Sequence, residues 1–198
     1  MKVLPRFATS ALLTVCMTFL IQSQVPGQSS KAAHAELKPV KSDNEITWLN
    51  FDEAVQLNKK HPKKIFIDVY TSWCGWCKRM DATTYTDKDI IKLMNKYYYA
   101  VKLDAETRDT FYFNNHKFFN ASPGQRGSVN ELAYSLLDGK LEYPTTVYLD
   151  EKVNRLTYAA GYMSAADLKT VLMYFAEDKY KTLTFDQYKK SITESSTK

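Results

Sequence analysis

The sequence is poor in the residues that build most recognisable sites. It has three histidines, at 34, 61 and 116, and they are widely scattered. Structural zinc needs four ligands, usually two cysteine pairs or one pair with histidines, so this scatter argues against a metal centre. Six glycines form no glycine-rich phosphate loop, and no segment repeats. Lysines alternate with Asp and Glu, so a net charge of +5 produces no basic run. Most aromatic residues fall inside strand-like runs instead of interleaving a basic patch, which argues against nucleic-acid binding. Cysteine is equally scarce. Cys16, Cys74 and Cys77 are the only three.

What is present fits one ordinary globular domain, with 44% hydrophobic and 25% charged residues in 198. The start, "MKVLPR" followed by the uncharged "FATSALLTVCMTFLI", has the shape of a secretory signal, with an apolar stretch too short to span a bilayer comfortably. Cleavage near Gln22–Gln24 competes with cleavage after "AHA", where Ala33 and Ala35 supply small residues. "LTVC" at Leu13–Cys16 resembles a lipobox, with Val15 a poor fit, and an uncleaved helix anchor is the other membrane-tethered alternative. Each of these readings exports the domain, with the periplasm as the expected compartment. The expected layout is a signal over 1–24 (possibly to 35), a linker over 25–44, a domain over 45–180, and a tail with a short helix over 181–198.

Within the domain, "ITW" suggests a short edge strand. Phe51, Ala54, Val55 and Leu57 are at helical spacing, and Pro62 ends that helix. Ile65–Tyr70 is a compact β-branched and aromatic run that predicts a buried strand. A helix opens at the cysteine pair and runs to about Asp81. A second helix over "TDKDIIKLMNKY" takes Thr86 or Asp87 as its cap, and the strand "YYYAVKLD" follows. Aromatic runs around Asn114–Asn115 predict a hairpin, then "ASPGQRGS" a loop. Ser128 with Glu131 predicts a capping box on a helix that Gly139 ends. "PTTVYLD" and "NRLTYAAGY" predict two strands about a turn at Glu151–Lys152, and Ser164 with Asp167 boxes a final amphipathic helix. Alternating helices and strands with a closing strand pair predict an α/β fold, a mixed central sheet with helices on both faces.

After export and processing, Cys74 and Cys77 would be the only thiols. They could staple the chain, bind a metal or exchange electrons. A loop this short restricts little chain entropy, so stapling is a weak role. A buried strand running into Cys-x-x-Cys at a helix start has a chemical use instead. Unpaired amides and the macrodipole at a helix N-terminus favour a thiolate on Cys74 and lower its pKa below the free value of about 8.5. Cys77, one turn further in, is placed to resolve a mixed disulfide.

The stretch "FIDVYTSWCGWCK" resembles the active-site segment of thioredoxins, whose usual motif is Trp-Cys-Gly-Pro-Cys-Lys after a strand with a buried Asp. Asp68, six residues before Cys74, is similar to that Asp, and Lys102 to the lysine that lies against it. Pro144 matches the family cis-proline that faces the disulfide, and Gly161 before "SAADLKTVL" matches the glycine before the last helix. The resemblance covers about Ile46 to Asp178 and is nearest to exported bacterial thioredoxin-like proteins with an insertion before the cis-proline strand, here 105–127. Two departures stand out: Trp76 replaces the usual proline, and residues 105–143 are longer than the family segment.

The resemblance implies a redox-active Cys74–Cys77 disulfide, with Asp68 relaying a proton to or from Cys77 and Lys102 beside it. It also implies a substrate groove from Trp73, Gly75, Trp76, Tyr143, Pro144 and Thr145. Each residue has a plainer reading. Asp68 and Lys102 could be a buried ion pair, Pro144 a strand-start proline, and the tryptophans a cover for the helix start. Phe111, Phe113, Phe118 and Phe119 are read as packing rather than recognition. The expected function is that of an exported thiol–disulfide oxidoreductase, a monomer without a cofactor, reducing disulfides of exported proteins with electrons from a membrane thiol relay. A disulfide oxidase or isomerase, and a non-enzymatic binding or chaperone module, are the alternatives.

Overall fold

The structure, a computed structural model, describes residues 44–196. The signal segment, its two cleavage regions, the lipobox-like stretch, His34 and almost all of the linker lie outside the described residues. Among the described residues no helix is long and apolar enough to cross a membrane.

The elements follow in chain order. They are β1 (Trp48–Leu49), α1 (Phe51–Lys60), β2 (Lys64–Tyr70), α2 (Gly75–Thr83), α3 (Lys88–Tyr97), β3 (Tyr98–Asp104), β4 (Phe111–Phe113) and β5 (His116–Phe118). Then come α4 (Glu131–Leu136), β6 (Thr145–Leu149), β7 (Arg155–Ala160), α5 (Ala165–Ala176), a 3-10 turn at Lys179–Lys181, and α6 (Phe185–Ser196). The main sheet runs β1-β3-β2-β6-β7; β1, β3 and β2 are parallel, and β6 and β7 are antiparallel additions.

Strand β2 is central, and its alternating side chains divide the core. Ile65, Ile67 and Val69 pack with Phe51, Ala54 and Val55 of α1 and with Leu132 and Ala133 of α4. Phe66 points the other way, to Met80 of α2, Ile90 and Met94 of α3, and Leu168 and Leu172 of α5. Each such fully buried aliphatic or aromatic side chain contributes about 1.5–3 kcal/mol. Asp68 lies on the Phe66 side of the strand, at its C-terminal half, and is the one charged group in that otherwise apolar run after Lys64.

Local signals explain most element ends. Asn50 and Glu53 form a capping box on α1, with hydrogen bonds of 2.8 and 2.9 Å, and His61 closes its C-terminus. Asp87, not Thr86, caps α3 by accepting from the amides of Asp89 and Ile90. Asn114 and Asn115 both adopt positive φ, 50° and 60°, which suits a tight two-residue turn between β4 and β5. Ser164 accepts from the Asp167 amide at the start of α5, while the Asp167 carboxylate takes the Ser164 hydroxyl rather than its amide.

Two expectations are corrected. Ser128 does not cap α4; Asn130 does, accepting from the Leu132 amide at 3.0 Å, and the helix is only six residues long. The Ser128 hydroxyl instead donates to the buried Asn120 side chain, and Glu131 turns to the Phe119 amide. The second correction concerns the tail. Residues 185–196 form a twelve-residue helix, and its Tyr188 is buried against Tyr174 of α5.

Candidate active site

Strand β2 ends at Tyr70, and the chain turns through Thr71–Trp73 into α2. The Cys74 amide bonds the Thr71 carbonyl at 3.1 Å, which fixes this turn. Cys74 is the N-cap of α2 in extended conformation (φ −72°, ψ 107°), and its sulfur accepts from the Cys77 amide at 3.1 Å. An N-cap acceptor is normally an oxygen; here a sulfur holds that place, where helix amides favour negative charge. Cys74 and Cys77 are joined as a disulfide. Exposure does not separate them: Cys74 is 5% and Cys77 2% accessible. Position does, because Cys74 alone stands at the helix end.

A charged cluster enclosed by rings joins β2, β3 and α2. Lys102 of β3 is the register partner of Asp68 in the parallel β2–β3 ladder, and its ammonium is 2.7 Å from Asp68 Oδ2. A second carboxylate, Asp81 of α2, shares the same ammonium. Trp48, Tyr70 and Tyr85 surround Lys102 with ring centroids 5.0–5.1 Å from Nζ. Burial pushes the Asp68 carboxyl up, against the pull of Lys102. Burial also works against the charge on Lys102, yet Asp68 and Asp81 together outweigh it and hold the lysine above its ordinary value. The Asp68 Oδ1 and the Tyr85 hydroxyl are buried without a well-formed hydrogen bond, yet they are near enough to interact: Tyr85 works to lower Asp68, and burial, then the Asp68 charge, push Tyr85 well up. An unsatisfied, desolvated carboxylate oxygen is a natural proton acceptor.

Two aromatic walls flank the cysteines. On one side Trp73, 63% exposed, meets Tyr143 edge-on at 6.0 Å and donates its indole N–H to Glu106 at 3.1 Å. Burial, then the charges of Glu106 and Asp104, push Tyr143 up to about 12, so it stays a neutral phenol. On the other side Trp76, 55% exposed, lies 5.6 Å from Tyr162, and the Arg79 guanidinium sits over both rings. Gly75, between the cysteines, has open space where a Cβ would lie.

The Tyr143–Pro144 peptide is cis, and the Pro144 carbonyl is taken by the Gly161 amide at 2.7 Å. The residues expected to form a groove differ in exposure. Thr145 is buried, paired on both sides within the sheet, and its hydroxyl bonds the Glu142 carbonyl, so its side chain is not presented at the surface. Trp73, Gly75 and Trp76 are exposed around the cysteines, and Tyr143 lies against Trp73. Of the hairpin aromatics, Phe111 is buried and meets Phe51 edge-on, and Phe113 does the same; Phe118 packs partly, while Phe119 is 40% exposed. His61 closes α1 and His116 sits on β5, far apart in the chain, and no cluster among the described residues is arranged to hold a metal ion.

Sequence reading missed Asp81, Tyr85 and Trp48 around Lys102. Asp81 alone carried a signal, being an acidic residue one turn beyond Cys77 in the same helix. The cysteine arrangement suits thiol–disulfide redox chemistry: a sulfur at a helix start and a second joined to it.

The comparisons with known proteins agree with this geometry. A Caenorhabditis elegans protein described only as uncharacterized is 33% identical over 90 residues, 43% of this chain and 12% of its own length. The thiol:disulfide interchange protein DsbD of Campylobacter jejuni (strain RM1221) is 32% identical over 71 residues, 36% of this chain and 12% of its own length. The chain thus spans about an eighth of either relative's length. A thioredoxin from Thermus thermophilus superposes with a TM-score of 0.51 at 18% identity, over 66% of this chain and 87% of that one, and shares the fold. A family model described as Thioredox_DsbH, a protein family of unknown function designated DUF255, matches residues 31–194. With a thioredoxin-like fold built around Cys74 and Cys77, the chain belongs to this DsbH-type thioredoxin family.

Proposed function

We propose that the protein is an exported thiol–disulfide oxidoreductase that reduces disulfides of exported proteins. The observation that carries the reading is the Cys74–Cys77 disulfide at the N-terminus of α2, with Cys74 as the cap. In the reduced protein the Cys74 thiolate attacks a substrate disulfide; one substrate sulfur joins Cys74 and the other leaves as a thiolate. Cys77 then loses its proton towards Asp68 and attacks the Cys74 sulfur. The substrate departs as a dithiol, and the enzyme is left as the disulfide, two electrons poorer. A dithiol donor must restore it, and a membrane thiol relay supplies that chemistry. The name of the Campylobacter relative, a thiol:disulfide interchange protein, is in keeping with such a relay.

The reducing direction rests on what lies between the cysteines. Gly75 and Trp76 bring neither charge nor a well-placed donor to the thiolate, and Lys78 and Arg79 are exposed, Arg79 lying over the Trp76 and Tyr162 rings. A thiolate with little extra stabilisation favours the disulfide form and a low potential. The test is equilibration of the purified protein with glutathione buffers, beside insulin reduction. A pair that stays reduced in a mildly oxidising buffer would make the protein an oxidase or isomerase. A pair that never exchanges would leave a binding module. Export is tested by locating the protein in fractionated cells, with cleavage read from its mature N-terminus.

A further inference from the structure

The chain between β3 and α4 closes a polar pocket of about 430 Å³ whose lining includes Ser72 and Trp73, so it adjoins the aromatic wall that Trp73 forms. Its lining includes Asp104, Glu106, Arg108 and Arg126, two acids and two bases. The acids keep their charge, but each is turned to a neutral donor. Glu106 accepts the Trp73 indole N–H, and Asp104 accepts the Glu106 amide at 2.9 Å. Neither arginine makes a salt bridge or side-chain hydrogen bond among the described residues, and both are exposed. The pocket therefore presents two unpaired guanidinium groups next to the residue that precedes Cys74.

The wall that holds Arg126 is anchored. The buried Asn120 side chain donates to the carbonyls of Ser128 and Glu106, and accepts from the Ser122 amide and the Ser128 hydroxyl. The Asn130 amide bonds the Ala105 carbonyl at 2.7 Å, tying the far end of the loop to β3. Gly124, at φ +88°, passes so near Arg108 that a Cβ there would be 3.1 Å from the guanidinium. The loop thus closes across Arg108 and brings the two bases to one cavity.

We infer that this pocket is a specificity subsite for an acidic side chain lying a few residues from the attacked cysteine of a polypeptide substrate. The inference rests on the oxidoreductase reading and adds a substrate class to it. A carboxylate suits a planar guanidinium through paired N–H donors, and two such groups flank one opening. Because the arginines are exposed, the gain is modest: two exposed ion pairs correspond to about a two- to tenfold rate preference. The preference should shrink as salt is added.

The test uses a Cys77→Ser variant of the protein and three disulfide-bonded peptides that differ only in carrying Glu, Gln or Lys near one cysteine. Cys74 attacks the peptide disulfide, one peptide sulfur joins it, the other leaves as thiolate, and the initial rate of adduct at Cys74 is read by mass. The expected order is Glu over Gln over Lys. Adding Arg108→Gln with Arg126→Gln should bring the Glu-to-Gln ratio to about one, and Arg108→Glu with Arg126→Glu should reverse the order, an outcome misfolding could not produce. Equal rates for the three peptides, or a preference that survives both double variants, would overturn the subsite alone. If no peptide forms an adduct at Cys74, the oxidoreductase reading falls, and the subsite falls with it.

Discussion

Lys102 reaches Asp68 directly across the parallel β2–β3 ladder, 2.7 Å from carboxylate to ammonium, yet it does not belong to Asp68 alone. Asp81 holds the same ammonium from the solvent side, and its side chain is 45% exposed against 1% for Asp68. The buried carboxylate therefore shares its counter-charge with a hydrated one. That arrangement keeps Asp68 a stronger base than a fully paired carboxylate would be.

Asp68→Asn should separate stability from turnover. The folded-state pKa of Asp68 is raised by burial, so its ionised form costs stability. That cost is absent below the ordinary value near 3.8 and sets in as pH rises through the raised one. The variant should therefore gain on the parent in that interval and keep the gain at neutral pH, read by chemical denaturation at several pH values. Release of substrate from the mixed disulfide should meanwhile slow by about tenfold or more, the lower end of what a proton acceptor contributes. Equal loss of both would make Asp68 a structural residue.

Asp81→Asn leaves Lys102 wholly to Asp68. The carboxyl of Asp68 should then fall towards its ordinary value, and the pH dependence of resolution by Cys77 should move to lower pH. Stability should change by no more than about 1 kcal/mol, since the lost pair is partly exposed. A stopped-flow pH profile of disulfide release checks this; an unmoved profile would show that Asp81 takes no part in setting the base.

In the reduced protein, Cys74 should alkylate at least about tenfold faster than Cys77 at neutral pH, because only Cys74 caps the helix and gains its amides. Iodoacetamide labelling followed by peptide mass analysis reads both sites at once. Similar rates would remove the assignment of nucleophile and resolver, since accessibility does not distinguish the two.

Trp76→Ala removes an exposed ring that touches Tyr162 and Arg79. The fold should lose about 1 kcal/mol or less, the worth of an exposed cation–π contact. Exchange with a polypeptide disulfide should fall several-fold while exchange with a small-molecule disulfide stays near that of the parent. A parallel loss on both would assign Trp76 to the thiol chemistry instead of to the groove.

Lys64 offers a control at the opposite end of β2. Its buried ammonium bonds Glu151 at 2.5 Å and Asp178 at 2.8 Å. Asp178 is held below its ordinary pKa, chiefly by the Lys64 hydrogen bond, so its contribution is present above about 3.8 and is lost as pH falls through the lowered value. For Lys64, burial opposes the charge but both carboxylates raise the pKa, so its contribution holds below the ordinary 10.5 and is lost as pH rises through the raised value. Lys64→Met should cost about 1 kcal/mol at neutral pH, because the released carboxylates are hydrated, and should flatten the acid limb of the stability profile. Disulfide exchange should not change.

Much of the fold was legible where one short segment decides its own conformation. Ile65–Tyr70 read as a buried strand by its β-branched and aromatic run, interrupted only by Asp68, and the paired asparagines at 114 and 115 fit the positive φ that a two-residue hairpin turn demands. The cysteine pair after that strand announced a helix start and its chemistry, because capping and the macrodipole act over one turn. Asp68 and Lys102 were paired only through the family resemblance.

Tertiary structure decided what depends on groups brought from afar. Ser128 and Asn130 are both able to cap a helix, and the choice between them follows from Asn120, eight residues before Ser128, capturing its hydroxyl. Asp81 of α2, Tyr85 just past the end of that helix and Trp48 of β1 converge on Lys102; Asp81 and Tyr85 are four residues apart, but no local spacing relates them to Trp48 or to Lys102. The unpaired Arg108 and Arg126 meet at one pocket only because the loop folds back over Gly124. Local sequence determined the reactive sulfurs and the strand that carries them, since backbone preference and burial are short-range. The groups that set their protons and select their partners were chosen by packing, since charge and shape act through space and not along the chain.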